Sequence, residues 1–586
     1  MAALAVPFLV ALAVALVVTV ACEGVARRAR LVKQPREDRW HRQPVPLLGG
    51  LGIIAGLLAP LVFVGPTVGR FGPLLLLSLA MAVVGLLDDM RALRPQVKLV
   101  AQIVLAALLI QFGFLLKLTA YPVLNIVLTL VWVVGVTNAF NLLDNMDGLA
   151  AGMAAIAGGF RLAFFLFDGD LAGAYLTAAF AGAAVGFLVR NFPPARIFMG
   201  DAGSLFVGFF LSGVCLVGEY AYSRGVSAVL VFPVLLMLIP IFDTTFVTLT
   251  RLVTGRPVSQ GGRDHTSHRL VALGVTERQA LAALYGVSVL SGLLAILSYA
   301  YGFTYTVVLV ALLLLGLVLL GVHLSRAQMV RADAVPAEGP FVRLVADFPF
   351  KRHVATVAID LVLIVVAYYS AYLLRFEGAF DEHLEALLRT IAPVIVLQVV
   401  SLALFGTYRG LWRYTSVPDL LRLLQGVTAG VVASVLYFVF SMRFEGLSRA
   451  VFVLDWLLLV ILLAGSRVAF RRLGELLRPP QDGFRRVLIY GAGDGGALTL
   501  RELRNNAGLR RQPVGFLDDD RSKVGTRIHE VPILGSLDTA EAVLETYRVG
   551  EVIVSSDKIP TTRVRQLEAI CVPRGVAVVR ASLRIE

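Results

Sequence analysis

Four clusters of polar residues interrupt an otherwise apolar chain, and their types suit work on phosphate with a hard cation. Asp88 and Asp89 close one apolar run. Asn138, Asn141, Asp144 and Asp147 recur every third residue up to Gly148, so they share one helical face. Asp201 stands between glycines in Phe198–Met199–Gly200–Asp201–Ala202–Gly203–Ser204. A fourth segment, Gly261–Gly262–Arg263–Asp264–His265–Thr266–Ser267–His268–Arg269, adds donors and positive charge of the kind that binds a diphosphate. Carboxylates gathered with amides fit Mg²⁺, which keeps several waters and shares its coordination with phosphate oxygens. Taken singly, an Asp–Asp pair at a helix end is a solvated cap. Two loop histidines also fall short of the three or four ligands zinc requires. The weight lies in the conjunction of all four.

The elements that must position these groups are membrane helices. The chain has 586 residues, 58% of them hydrophobic and 16% charged, whereas soluble domains carry roughly a quarter charged residues. Apolar runs near 3–22, 46–66, 71–87, 98–117, 121–140, 148–168, 171–190, 203–219, 226–249, 277–300 and 303–325 are each about long enough to cross hydrocarbon. A linker over 326–352, containing Pro336, Gly339 and Pro340, precedes four more runs near 353–374, 388–407, 421–442 and 449–467. The first run has no basic residue before it and Arg27, Arg28 and Arg30 after it. It therefore reads as a membrane helix with its N-terminus outside rather than a cleaved signal.

Counted from that orientation, the loops 23–45, 88–98, 138–148, 190–203 and 250–276 all face the cytoplasm, and all the polar clusters lie in or beside them. The net charge of +13 belongs to these basic loops, not to a nucleic-acid surface. A cation-coupled transporter would also carry carboxylates in its spans, but near the bilayer midplane and not at one membrane face. Cys22, Cys215 and Cys571 are too scattered for a disulfide framework or a zinc site.

Residues 23–280 resemble the polyprenyl-phosphate N-acetylhexosamine-1-phosphate transferases, kin of the phospho-N-acetylmuramoyl-pentapeptide transferase. The resemblance rests on Pro44–Val45–Pro46–Leu47–Leu48–Gly49–Gly50, Gly85–Leu86–Leu87–Asp88–Asp89, the Asn138-to-Gly148 motif, Asn191–Phe192–Pro193–Pro194 leading to Asp201, and the His265/His268 loop. It implies transfer of a sugar 1-phosphate, with N-acetylglucosamine as the default sugar, from a UDP-sugar to polyprenyl phosphate. UMP leaves, and cell-surface glycan synthesis begins. It implies Mg²⁺, with Mn²⁺ as an alternative, on Asp201, Asp88 and Asp89. Asp88, Asp89, His265 and His268 would act on the reacting phosphates. Asn141, Asp144, Asp147, Asn191, Phe198, Arg263 and Arg269 would hold the UDP-sugar, Phe198 by stacking on the base.

Two positions depart from the family. Ala92 stands where an Asp–Asp–x–x–Lys motif has lysine, so Arg91, Arg94 or Lys98 must supply that charge, or nothing does. Asn145 replaces a glycine between the two aspartates of the long motif. A lipid phosphate has its second pKa at about 6 and is a dianion at neutral pH, so direct attack needs positioning and charge neutralisation more than a base. Asp88 would orient the acceptor or take its residual proton. A two-step route through an aspartyl-phosphate is the alternative.

From 485 the pattern changes to short β-branched runs at Val487–Tyr490, Val514–Leu517, Glu551–Ser555 and Val576–Val579, the strands of a small doubly wound sheet. Gly491, Gly493 and Gly496 form a G-x-G-x-x-G turn between strand and helix, and Asp518 ends the next strand, where it could meet ribose hydroxyls of a nucleotide or dinucleotide. Residues 344–586 resemble the N-terminal half of membrane nucleotide-sugar 4,6-dehydratases. No Tyr–x–x–x–Lys pair follows residue 485, so this half reads as a regulatory or docking module.

The expected fold is thus a polytopic α-helical membrane protein of about 11 + 4 spans, with a cytoplasmic Rossmann-like α/β domain. Its division is 1–325, 326–352, 353–470 and 485–586. It would sit in a bacterial inner membrane, with a UDP-sugar and a polyprenyl phosphate as partners, and a second copy of the chain and a nucleotide-sugar-modifying enzyme as further candidates. The competing reading is a catalytically silent scaffold or nucleotide-sugar sensor.

Overall fold

The computed structural model describes residues 2–29, 32–33, 45–63, 69–91, 93–217, 226–254, 262, 264–325, 351–409, 417–476, 484–505, 509–529, 531–556 and 558–581. The chain divides into two compact units, Met1–Arg478 and Pro479–Glu586. The linker expected over 326–352 falls almost wholly outside the described residues, as does Arg263.

The first unit begins with helices α1 (Ala2–Arg28), α2 (Gly50–Leu61), α3 (Gly72–Arg91), α4 (Pro95–Gln111), α5 (Pro122–Leu143), α6 (Leu149–Phe167), α7 (Leu171–Asn191) and α8 (Gly200–Val214). It continues through α9 (Val226–Leu236), α10 (Leu238–Thr254), α11 (Thr266–Ala272), α12 (Glu277–Tyr301) and α13 (Phe303–Leu324). Among the described residues, eleven helices are long and apolar enough to cross a membrane, seven of them before residue 325. The runs at 46–66, 98–117 and 203–219 become the shorter α2, α4 and α8.

The run at 226–249 is not one helix but two. Pro240 has no N–H for the carbonyl one turn back, and its ring crowds that carbonyl, so the chain breaks at Met237 between α9 and α10. The core is dense with small and aromatic residues. Ala178, Ala179, Ala183 and Ala184 of α7 and Phe206, Phe209 and Phe210 of α8 are all fully buried. Small residues let membrane helices approach closely where no hydrophobic force drives them together.

Helices α14 (Lys351–Arg375), α15 (Phe380–Leu404), α16 (Val417–Met442) and α17 (Arg449–Leu476) form a second bundle that packs against α13 through Leu319. Asp360 of α14 is completely buried there and takes both arms of Arg467 from α17, at 2.6 and 2.7 Å. Removing one partner of such a pair strands a charge in a dry interior. Arg467→Ala should therefore lower stability by about 3–5 kcal/mol. An Asp360→Leu/Arg467→Met pair should recover most of that loss. Thermal unfolding in detergent reads both, and equal losses in the two variants would remove the ion pair as the cause.

In the second unit, β3 (Arg485–Tyr490), β4 (Arg511–Leu517), β5 (Arg527–Ile528), β6 (Val531–Gly535), β7 (Glu551–Val554) and β8 (Ala577–Arg580) form one sheet in the order β5-β6-β4-β3-β7-β8. All neighbours are parallel except β5 with β6. Helices α18 (Asp494–Asn505), α19 (Ala540–Thr546) and α20 (Thr561–Cys571) connect the strands. The sequence marked β3, β4, β7 and β8. It missed the edge strand β5 and its neighbour β6, a short run that contains Pro532 and whose buried residues alternate with half-exposed ones. Strand order reverses between β3 and β7, where doubly wound sheets bind ligands. A further two-stranded pair joins β1 (Val32–Lys33) to β2 (Val45–Pro46) in the first unit.

Candidate active site

Asp88 lies in the last turn of α3 and Asp201 in the first turn of α8. The ammonium of Lys98, in the first turn of α4, bridges them, 2.7 Å from Asp88 Oδ2 and 3.3 Å from Asp201 Oδ2. Of the three basic residues open at the sequence level, Lys98 is thus the one that meets the acidic pair. The backbone N–H of Leu93 also donates to Asp88 Oδ1 at 2.6 Å.

Asp89 points elsewhere. Its two oxygens accept the backbone N–H groups of Asp201 and Ala202 at 3.0 and 3.1 Å. A helix start has unpaired N–H groups and a positive dipole end, and a carboxylate from α3 satisfies both for α8. Asp89 thereby fixes where Asp201 sits.

The close approach of α3 and α8 depends on Gly85. A Cβ there would lie 2.3 Å from the carbonyl oxygen of Asp201 and 2.6 Å from the Cα of Ala202, both backbone atoms that cannot swing aside.

The long motif ends α5 and turns into α6. Asn141 Nδ2 donates to Ser204 Oγ of α8 at 2.9 Å, tying α5 to the helix that carries Asp201. Asp144 caps the C-terminus of α5 and is half-buried. Asp147 Oδ2 accepts the N–H of Ala195 at 2.8 Å.

Asn191 is buried and committed to backbone at both ends of its amide, accepting from Gly148 N at 3.0 Å and donating to the Ile197 carbonyl at 2.9 Å. It holds the two motif loops together. Phe198 hangs between β2 and α2: its N–H donates to the Pro46 carbonyl and its carbonyl accepts from Gly49 N, each at 2.9 Å. The residue is 9% exposed, which leaves little of the ring for a base to stack on.

The histidine loop joins the same network. Ser267 Oγ donates to Asn145 Oδ1 at 2.7 Å, and Asn145 Nδ2 donates to the Leu142 carbonyl at 2.8 Å. The asparagine that departs from the family glycine is therefore the hinge between the long motif and this loop. His265 and His268 have ring centres 6.2 Å apart. His265 Nδ1 lies 2.7 Å from Asp243 Oδ2 of α10.

Asp243 was overlooked in the sequence. The available signal was a lone carboxylate inside the apolar run 226–249, a position that is rarely idle. Arg269 is 4% exposed, donates to the carbonyls of Asp264 and Leu324 at 2.9 and 3.0 Å, and lies over the Phe246 ring. It braces the loop against α13. Arg251, paired with Asp264 at 3.2 Å, is part of the same brace.

Three hydrogen-bonded links tie these elements together: Asp88–Lys98–Asp201, Asn141–Ser204 and Asn145–Ser267. They join the C-terminal ends of α3 and α5 to the start of α8 and the α10–α11 loop.

The sequence profile of glycosyl transferase family 4 matches residues 72–219, the stretch that carries all three aspartates. A probable undecaprenyl-phosphate N-acetylglucosaminyl 1-phosphate transferase of Bacillus subtilis is 33% identical over 304 residues, which is 50% of this chain and 84% of the relative. The chain belongs to glycosyl transferase family 4. A decaprenyl-phosphate N-acetylglucosaminephosphotransferase of Mycobacterium leprae is 31% identical over 44% of this chain and 75% of its own length.

For this family 4 chain the donor set can be tested against Mg²⁺. Among the described residues no group of three or more His, Cys, Asp or Glu side chains gathers as a metal cage. Mg²⁺ does not ask for one, because it takes one or two carboxylates and completes its shell with water and substrate phosphate. Asp88 and Asp201 already converge on a single cationic atom, Lys98 Nζ, so two hard oxygen donors aim at one cation position and the set fits.

In the second unit Gly491 adopts φ +101°, and a Cβ on Gly496 would lie 2.0 Å from the Gly491 carbonyl oxygen. These two glycines are needed for the turn itself, while Gly493 faces open space. Asp518 Oδ2 accepts the N–H of Ala492 at 2.7 Å and the ammonium of Lys523 at 3.2 Å. Its carboxylate supports the turn. Burial, and then the Asp519 carboxylate that it hydrogen-bonds at 2.7 Å, push the Tyr490 phenol up.

A CoA-binding domain profile matches residues 403–571. The probable polysaccharide biosynthesis protein EpsC of Bacillus subtilis is 29% identical over 227 residues, 38% of this chain and 37% of that protein.

Proposed function

We propose that the chain transfers N-acetylglucosamine 1-phosphate from its UDP-sugar to a polyprenyl phosphate, releasing UMP and starting a surface glycan. The observation that carries this reading is the convergence of Asp88 and Asp201 on one cation position, in a chain that shares family 4 motifs with transferases of that name.

Asp88 and Asp201 would hold Mg²⁺, or Mn²⁺ in its stead. The bound ion would neutralise charge on the donor diphosphate, easing the approach of a second anion. Lys98 is freed from the carboxylates to meet the acceptor phosphate. Asp89 keeps α8, and so Asp201, in register. The acceptor oxygen attacks the sugar-bearing phosphorus directly, the bond from that phosphorus to the bridging oxygen breaks, and UMP departs with the electron pair. Asp144, Asp147 and the His265/His268 loop frame the donor.

Residues 1–325 form the transferase domain in this reading, with 353–470 and 485–586 as a docking or nucleotide-sensing module. The basic loops support a site and a module on the cytoplasmic side of a bacterial inner membrane. Coupling to a nucleotide-sugar-modifying enzyme gives the module a purpose.

The test is UMP release from a panel of UDP-sugars by purified protein with undecaprenyl phosphate. Release that requires lipid, and stops with EDTA and returns with Mg²⁺, is expected. Folded protein that releases no UMP from any donor would leave the silent scaffold as the better reading.

A further inference from the structure

We propose that Asp243 is a positioning residue that lets His265 carry protons on both ring nitrogens, so that Nε2–H donates to the diphosphate of the donor. The inference deepens the transferase reading and rests on it.

Asp243 is 2% exposed, in α10, where nothing but a specific partner would justify a carboxylate. Its two oxygens are divided. Oδ2 faces His265 Nδ1 at 2.7 Å. Oδ1 receives both the backbone N–H of Thr266 at 2.7 Å and the Thr266 hydroxyl at 2.5 Å. With Thr266 holding one oxygen from two sides, the carboxylate cannot rotate, and the other oxygen stays against Nδ1. A carboxylate has no proton of its own to give, so the shared proton belongs to Nδ1. The nitrogen left for a ligand is Nε2. His265 itself opens α11, and two residues on, Ser267 bonds Asn145 of the long motif at 2.7 Å. The ring is therefore held from behind in a loop that is pinned to the motif expected to frame the donor.

The chemical use follows from the leaving group. As the acceptor oxygen bonds to the sugar-bearing phosphorus, the bridging oxygen takes the electron pair and becomes a phosphate oxygen of UMP. A donor aimed at that oxygen is stronger in the transition state than before it. A doubly protonated imidazole is such a donor, and Asp243 balances its charge, the arrangement by which a buried aspartate supports a histidine cation in hydrolases. No proton need be transferred for the atoms to balance.

Asp243→Asn separates this from a packing role. Thr266 presents two donors to Oδ1, so the asparagine carbonyl must take that side. Its NH₂ then faces Nδ1, which can accept from it only when unprotonated, and the doubly protonated ring is lost.

The experiment measures kcat and KM for UMP release by full-length wild type, Asp243→Asn, His265→Ala and the double variant, beside their thermal unfolding temperatures. Asp243→Asn is expected to lower kcat by about 10²-fold with KM for the donor changed less than threefold. It should cost nothing further in the His265→Ala background. Wild-type kinetics in Asp243→Asn, or losses that multiply in the double variant, would overturn the proposal. Should Asp243→Asn not fold, Asp243→Ala is assayed with added formate. Rescue that requires His265 supports the proposal, and rescue without it overturns it. Wild type that releases no UMP from any donor counts against the transferase reading itself, a result distinct from all of these.

Discussion

Asp201→Asn should lower the rate of UMP release by about 10³-fold while leaving the fold intact. The expectation follows from how Asp201 is used. Its backbone N–H serves the cap from Asp89, and that bond survives the substitution. Its side chain faces Lys98 and the Asp88 carboxylate beyond it, where a neutral amide would weaken the hold on any divalent cation. Thermal unfolding should move by less than the activity suggests, because a surplus of negative charge is being relieved. Raising Mg²⁺ in the assay should recover part of the activity if the loss is one of metal affinity. A variant with undiminished turnover at low Mg²⁺ would remove Asp201 from the metal site.

Gly85→Ala should also lower activity, by geometry alone. The added methyl meets backbone atoms of Asp201 and Ala202 at 2.3–2.6 Å, far inside van der Waals contact, so α3 and α8 must separate. Overpacking of this kind costs about 3 kcal/mol at its upper range. Asp88 and Asp89 lie within about one turn of Gly85, so the same displacement would pull Asp89 off the start of α8 and Asp88 away from Lys98. UMP release is expected to fall by about 10²-fold, the scale associated with loss of one well-placed electrostatic contact. Gly135→Ala is the control, since a Cβ on that glycine of α5 meets nothing within 4 Å. Similar behaviour of the two variants would show that the α3–α8 contact is slack.

Much of this architecture is visible along the chain because it depends on near neighbours in sequence. Apolar run length marked the membrane helices, and the change to short β-branched runs at 485 marked the second unit before its sheet was seen. The Gly–x–Gly–x–x–Gly turn after β3 is likewise a local pattern, and Gly491 and Gly496 do close it. Asp88, Asp89 and Asp201 stood out because carboxylates among apolar residues are costly to keep.

What the chain order could not express is which of several chemically equal groups meets which. Arg91, Arg94 and Lys98 were equivalent cations on paper. Only the packing of α3, α4 and α8 puts Lys98 between Asp88 and Asp201. Asn191 and Arg269 had the right chemistry for a nucleotide, yet the fold spends both on backbone carbonyls and amides. Asp243 hid in an apolar run whose break at Met237 and Pro240 turns it toward the histidine loop. Hydropathy and turn propensity are properties of a segment, and so they can be read from it. A hydrogen bond between residues 20 or 100 positions apart is a property of two segments at once, and it exists only after tertiary packing has fixed the distance and angle between them.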